Sequence, residues 1–259
     1  KYIQINDPLI LDPYNNVIRT SGVANWNIYG GSLTWLATPT LDPNDGSMTN
    51  IYMAKIPYTN WAGKEATPVE STDTYNFLDG LEQRYGVEAL GTREKALFDK
   101  LNSIGENEAI LFYQATDEMM GHQYANTQQR INATGNILDK EFNYLRKEWE
   151  TASKDSNKVK VFGMKGEYNT DTAGIIDYKN DAYGVAYLHE DETVKLGANT
   201  GWYAGVVHNI FKFKDIGGSR EETTMGKLGI FKTTTFDNNG SLKWNISGEG
   251  MLGYSEMNR

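Results

Sequence analysis

The chain has 259 residues, a formal net charge of −9 and no cysteine, with a sequence pI near 4.9 and a mean hydropathy of −0.57. Disulfide frameworks, thiol chemistry and cysteine metal sites are excluded. With no Lys/Arg cluster on a plausible face, the expected partners include no nucleic acid. No window approaches the roughly 18 uninterrupted apolar residues of a transmembrane helix, a test that a β-barrel escapes because only alternate residues meet lipid.

Aromatic residues make up 12% of the chain, which suits membrane-interface girdles and equally an aromatic-rich soluble carbohydrate binder. The first residue is Lys1, and no charged-then-apolar signal segment follows it. That says nothing about localisation if the start is an internal break.

Residues 1 to about 62 read as β-structure with irregular loops. Ser32–Leu36 is the clearest strand, Trp26–Tyr29 runs into a Gly30-Gly31 turn, and Asp42–Gly46 is a turn ahead of the strand Ile51–Tyr58. Short strands at regular spacing suit a sandwich, the rungs of a β-solenoid or a solenoid's terminal cap. Ala62–Asp73 is polar and reads as a connecting loop. Thr74–Gly91 is partly helical, with Tyr75, Leu78, Leu81 and Tyr85 near helical spacing.

Thr92 to about Ser153 is strongly helical. Thr92 is the expected N-cap, and Gly105 and Gly121 break the run. The last helix, from about Tyr124 to Ala152, carries Ile131, Ile137, Leu138, Phe142, Leu145 and Trp149 on one stripe and polar residues elsewhere. It would be ~40 Å long, enough to cross a ~30 Å hydrocarbon core. It is too polar to face lipid and could cross only inside a water-filled lumen; packed on a soluble core it is an ordinary amphipathic helix.

From Val159 to Arg259, segments alternate small or polar side chains with bulky apolar ones, separated by Asp/Asn/Gly turns. Leu196, Ala198, Thr200, Trp202, Ala204 and Val206 oppose Lys195, Gly197, Asn199, Gly201, Tyr203 and Gly205. Leu242, Trp244, Ile246, Gly248, Gly250, Leu252 and Tyr254 oppose Lys243, Asn245, Ser247, Glu249, Met251 and Gly253, while Met225–Phe236 is the least clear segment, because Leu228 and Ile230 oppose Phe231. Tyr183, Val185 and Tyr187 alternate with Ala182, Gly184 and Ala186, and Phe162, Met164 and Tyr168 with Val161, Gly163, Lys165 and Glu167. A soluble sandwich also alternates. The small, Gly-laden second face favours a barrel wrapped around a helix, with Gly leaving room for the helix backbone. The expected lipid-facing residues are Phe162, Tyr183, Tyr187, Trp202, Trp244 and Tyr254. The expected lumen-facing residues are Lys165, Glu167, Asn199, Tyr203, Asn245 and Glu249.

A helix followed at once by Gly-punctuated amphipathic strands resembles the C-terminal translocator of monomeric type V secretion autotransporters. Val161–Gly166 resembles its first strand, Asn180–Tyr187 its second, Lys195–Trp202 its third, Lys227–Phe231 its fourth and Tyr254–Arg259 the end of its fifth. Gln114–Glu118, ahead of a helix ending in Arg146, resembles the segment that feeds the pore. The resemblance covers Thr92 to Arg259 and implies a mainly β fold with a helical linker. Residues 1–73 would be the end of a passenger, as a β-solenoid or cap. Residues 74–157 would be a helical linker in the barrel lumen, and 158–259 the N-terminal part of a transmembrane β-barrel. The family barrel closes with about twelve strands and about five are read here, so a truncated piece is expected.

The resemblance further implies an outer-membrane location and export of a passenger, an adhesin, to the cell surface. The implied partners are outer-membrane lipid, the barrel-assembly machinery, periplasmic chaperones and a host-surface ligand of the missing passenger. No cofactor and no catalysis are implied. Some family members cleave the helix inside the pore; Asp155, Asn157 and Glu167 are the residues to inspect. His122, His189 and His208 have no metal-ligand spacing, and no nucleophile or phosphate-loop motif stands out. Two other functions stay open. One is a soluble carbohydrate-binding or glycan-processing domain with Trp26, Trp35 and Trp61 as platforms, and the other is a plain outer-membrane channel.

Overall fold

The computed structural model describes residues 14–15, 31–41, 44, 48–63, 71–87, 89, 91–147, 155–193, 198–235 and 243–258. They form mixed helix and antiparallel sheet in two compact units, Lys1–His122 with Thr172–Gly174, and Gln123–Asp171 with Ile175–Arg259. Boundaries were expected at 73 and 157. The helices divide between the units instead, because three of them build the first unit's core and only the last packs on the large sheet.

The first unit holds the strands β1 (Tyr14–Asn15), β2 (Trp35–Leu41) and β3 (Met48–Lys55) in the order β1-β3-β2, with both pairings antiparallel. The β-solenoid expectation is corrected among the described residues: solenoid rungs stack in parallel, whereas β2 and β3 form an antiparallel pair. Pro39 sits in β2, an edge strand, where its missing N–H costs no ladder bond. The segment Trp26–Tyr29 lies outside the described residues.

A 3-10 turn at Tyr58–Trp61 leads to α1 (Ser71–Arg84), α2 (Arg93–Asn102) and α3 (Ala109–Met119). Thr92 caps α2, its hydroxyl accepting from the Lys95 N–H at 3.2 Å. The core is Tyr58, Trp61, Leu78, Phe98, Leu101 and Phe112. Asn102 ties it together: its Oδ1 accepts from Thr34 at 2.8 Å and from the Tyr58 hydroxyl at 3.0 Å, and its amide donates to Tyr85 at 3.2 Å.

The second unit is the helix α4 (Thr127–Lys147) on a five-stranded antiparallel sheet. Its strands are β4 (Asp155–Tyr168), β5 (Tyr178–Thr193), β6 (Ala198–Phe213), β7 (Arg220–Thr235) and β8 (Lys243–Asn258), in sequence order as a meander. The last four are 16 residues each, ~50 Å long. The sheet does not close, and β4 and β8 are its two edges. The helix is 21 residues, ~32 Å. Residues 148–154, at the expected end of this helix, lie outside the described residues.

One stripe of α4, Ile137, Leu138, Phe142 and Leu145, packs on one face of the sheet at Phe162, Ala182, Ala186, Leu188, Tyr203, Val207, Met225 and Phe231. The opposite face has no cover among the described residues.

Candidate functional site: the two faces of the five-stranded sheet

The register assigns every side chain of the sheet to one face. Phe162 pairs with Gly184, Gly184 with Val207, Val207 with Met225 and Met225 with Gly253. That row lies under the helix. Val161, Val185, Val206, Gly226 and Leu252 form the row behind it, on the open face.

On the helix side, glycines meet large groups. A methyl group on Gly205 would lie 2.9 Å from Leu138 and from Phe142, so this glycine seats the helix. Gly184, Gly201 and Gly229 serve another purpose. Each is directly opposite an aromatic residue, Phe162, Phe231 and Tyr203, whose ring lies 2.7, 2.5 and 2.1 Å from where a Cβ would be. The missing side chain gives the ring a place flat against the neighbouring strand. Only part of the Gly-rich inner face therefore makes room for the helix.

Polar groups fix the helix against the same face. Arg130 Nε donates to Glu221 Oε2 at 2.6 Å, and both side chains are almost fully buried. The rest of the guanidinium is satisfied by the Ala125 carbonyl at 2.8 Å, the Gln123 carbonyl at 3.3 Å and the Thr127 hydroxyl at 3.2 Å, and it lies over the Phe213 ring. Ser255 donates to the other Glu221 oxygen at 2.8 Å. One turn along, Asn209 donates to Thr134 at 3.0 Å and accepts from Asn180 at 3.0 Å. Further along, Lys227 pairs with Asp139 at 2.7 Å, and Lys160 with Glu141 at 2.6 Å. Near the C-terminal end, Arg146 lies over the Phe231 ring. Charged contacts at three levels with an apolar middle give α4 a defined depth and rotation.

The open face is apolar in its centre. Leu252 is 84% exposed, Val161 81% and Ile230 67%, with Val159, Val185, Val206, Leu228 and Ile246 exposed beside them. A shallow apolar trough runs over Ala204, Val206, Leu228 and Leu252, with Gly226 and Gly250 as its floor. Tyr183 and Tyr254 lie in the row at one margin, while Tyr187 stacks near Trp202, ring centroids 4.8 Å apart, at the other. Between these margins lies ~20 Å of strand. Beyond the first margin stand Lys165, Asp181, Glu222 and Glu256, then Glu167, Lys179, Lys212 and Arg220. His189 stands opposite Trp202 in the second margin, and beyond it stand Asp191, Thr200 and Lys232.

Among the residues expected to face lipid, Tyr183, Trp202 and Tyr254 are exposed on the open face, and the register puts Tyr187 on the same face; the side chain of Trp244 lies outside those described. Phe162 is corrected: it is buried under the helix. Among those expected to face the lumen, Tyr203 and Glu249 are on the helix side, the tyrosine hydroxyl donating to the glutamate at 2.8 Å. The side chains of Asn199 and Asn245 lie outside those described. Lys165 and Glu167 are corrected to the open face, where Glu167 pairs with Lys214 at 2.6 Å. The inversion is confined to β4, which has apolar side chains on both faces, Val159 and Val161 on one and Phe162 and Met164 on the other. Its face is set by the Phe162–Gly184 pairing.

Asp155 opens β4 opposite Asp191. Asn157 is on the open face, its amide oxygen 2.8 Å from His189 Nδ1. Neither Asn157 nor Glu167 is directed at the helix, whereas Glu221 is, through Arg130. Arg130 and Glu221 are 91 residues apart, and no local pattern joins them.

Trp35 and Trp61 are buried and offer no platform; Trp26 lies outside the described residues. Among the described residues no group of three or more His, Asp or Glu side chains is gathered as a metal site. No described helix is long and apolar enough to cross a membrane, which says nothing of strands. Comparison with protein-family models, curated proteins and solved structures finds no match.

Proposed function

We propose that the second unit is part of an outer-membrane translocator: its sheet is a sector of a transmembrane β-barrel and α4 occupies the lumen. The observation that carries this reading is the contrast between the two faces. An apolar, aromatic-margined face lies open among the described residues, while the other face holds a polar helix through one buried ion pair and two partly exposed ones. In water such an exposed apolar face is a liability, and in lipid each exposed Leu, Ile or Val would contribute up to ~2 kcal/mol. The strands, at 14 and 16 residues, exceed the roughly 9–11 needed to span. The unpaired edges of β4 and β8 would pair with further strands of the same barrel, since an open edge in lipid leaves backbone groups unsatisfied.

On this reading the unit anchors an N-terminal passenger at the cell surface and serves its export. It acts through barrel-assembly machinery and periplasmic chaperones, without cofactor or catalysis. An adhesive passenger rests on the family resemblance alone.

The test is protease treatment of intact Gram-negative cells carrying the full-length protein. External protease should remove the N-terminal unit and leave residues 155–258 protected in the outer membrane. Recovery of the whole chain in the soluble periplasmic or cytosolic fraction would contradict the proposal.

A further inference from the structure

One end of the open face carries a row of cations. Lys179 stands directly opposite Lys212, and Lys212 directly opposite Arg220, on three adjacent strands. Neighbouring strands are ~4.8 Å apart, and like charges directly opposite each other destabilise a sheet. Lys165 and Lys214 lie beside this row on the same face. Carboxylates offset part of the charge: Asp181 pairs with Lys212 at 3.1 Å, Glu167 with Lys214 at 2.6 Å and Glu222 with Arg220 at 2.6 Å. Lys179 and Lys165 stand directly opposite Glu167 and Asp181, which attract them, and all of these contacts are solvent-exposed and weak.

The position of the row is as informative as its sign. It lies two rows beyond Tyr183 and Tyr254, just past the margin of the apolar band. At the other margin the described open-face side chains include one lysine, Lys232, with Asp191 and Thr200. Most of the described cations of the face are therefore gathered at this end, where lipid headgroups would lie, interspersed with Glu167, Asp181, Glu222 and Glu256.

We infer that Lys179, Lys212 and Arg220 form a binding row for the phosphate of an anionic membrane-lipid headgroup, in the leaflet at this end of the sheet. The inference rests on the membrane reading above. The lipid's acyl chains would lie along the apolar band, in register with the trough over Val206, Leu228 and Leu252. The flexible lysines and the forked Arg220 would share the phosphate oxygens and relieve the repulsion between them.

The experiment has two stages. First, the full chain is floated with vesicles of phosphatidylcholine alone, which tests insertion without any anionic lipid. Then the preference of the inserted protein for spin-labelled phosphatidylglycerol over spin-labelled phosphatidylcholine is measured. A cation at an anionic surface is worth a roughly five-fold preference. The wild type should favour phosphatidylglycerol several-fold. Lys179→Gln with Lys212→Gln should abolish most of that preference, and Lys232→Gln at the other margin should leave it unchanged.

Equal association of the two lipids with the wild type would overturn the inference while leaving the membrane reading intact. So would an equal loss with Lys232→Gln. Loss of the preference in inorganic phosphate, but not in chloride of matched ionic strength, would show a site for free phosphate and also overturn it. Failure to float at all overturns both.

Discussion

Glycines of the sheet fall into two physical classes, and substituting alanine separates them. Gly205→Ala pushes a methyl group to 2.9 Å from Leu138 and Phe142, so it should destabilise the second unit by about 1–3 kcal/mol, as over-packing does. Gly250→Ala meets nothing within 4 Å, and its thermal midpoint should match the wild type. The buried pair Arg130–Glu221 makes a sharper case. Glu221→Gln leaves a buried guanidinium without its counter-charge and should cost about 3–5 kcal/mol. The double variant Arg130→Met/Glu221→Met should recover much of that loss, and a double-mutant cycle in denaturant measures it. A cycle showing no coupling would mean that the ion pair does not hold the helix.

Lys55 in the first unit is also a residue-scale test. Burial pushes its amine below the ordinary lysine value of 10.5, an effect partly opposed by the bonded Glu82 carboxylate. The folded form thus releases its proton at lower pH than the unfolded chain. Between the lowered value and 10.5 the unfolded state binds more protons, so this group makes stability rise with pH across that window. Lys55→Met should remove the rise, seen as a flatter denaturant midpoint from neutral pH upward. An unchanged slope would show that the amine is not desolvated.

At the scale of elements, α2 depends on its cap. Thr92→Ala should cost about 1 kcal/mol in the first unit's stability. This cap was legible in the sequence because capping is local, as were the breaks at Gly105 and Gly121 and the existence of all five long strands. The faces of β5, β6 and β8 were legible too, since their alternation is clear, whereas in β7 Leu228 and Ile230 oppose an equally apolar Phe231. The face of β4 was not, because Val161 and Phe162 are both apolar and only the pairing with Gly184 decides between them. The antiparallel pairing of β2 with β3 was hidden as well: the sequence shows strand spacing but not strand direction. The contacts of α4 with Glu221, Lys227 and Lys160 are long-range, so the sequence yielded a polar helix and a polar sheet face without matching their charges.

For the whole molecule, the five-stranded sheet has one face held to a helix and one face without cover among the described residues. The account stands on lipid being what covers the open face. Since the chain has no cysteine, single cysteines can be placed at Val206, Leu228 and Leu252 and spin-labelled in the protein reconstituted in lipid bilayers. The account predicts high accessibility to oxygen and low accessibility to an aqueous nickel chelate at all three positions, with the reverse at Lys232→Cys beyond the margin. Accessibility to the nickel chelate at Val206, Leu228 and Leu252 equal to that at Lys232→Cys would contradict it.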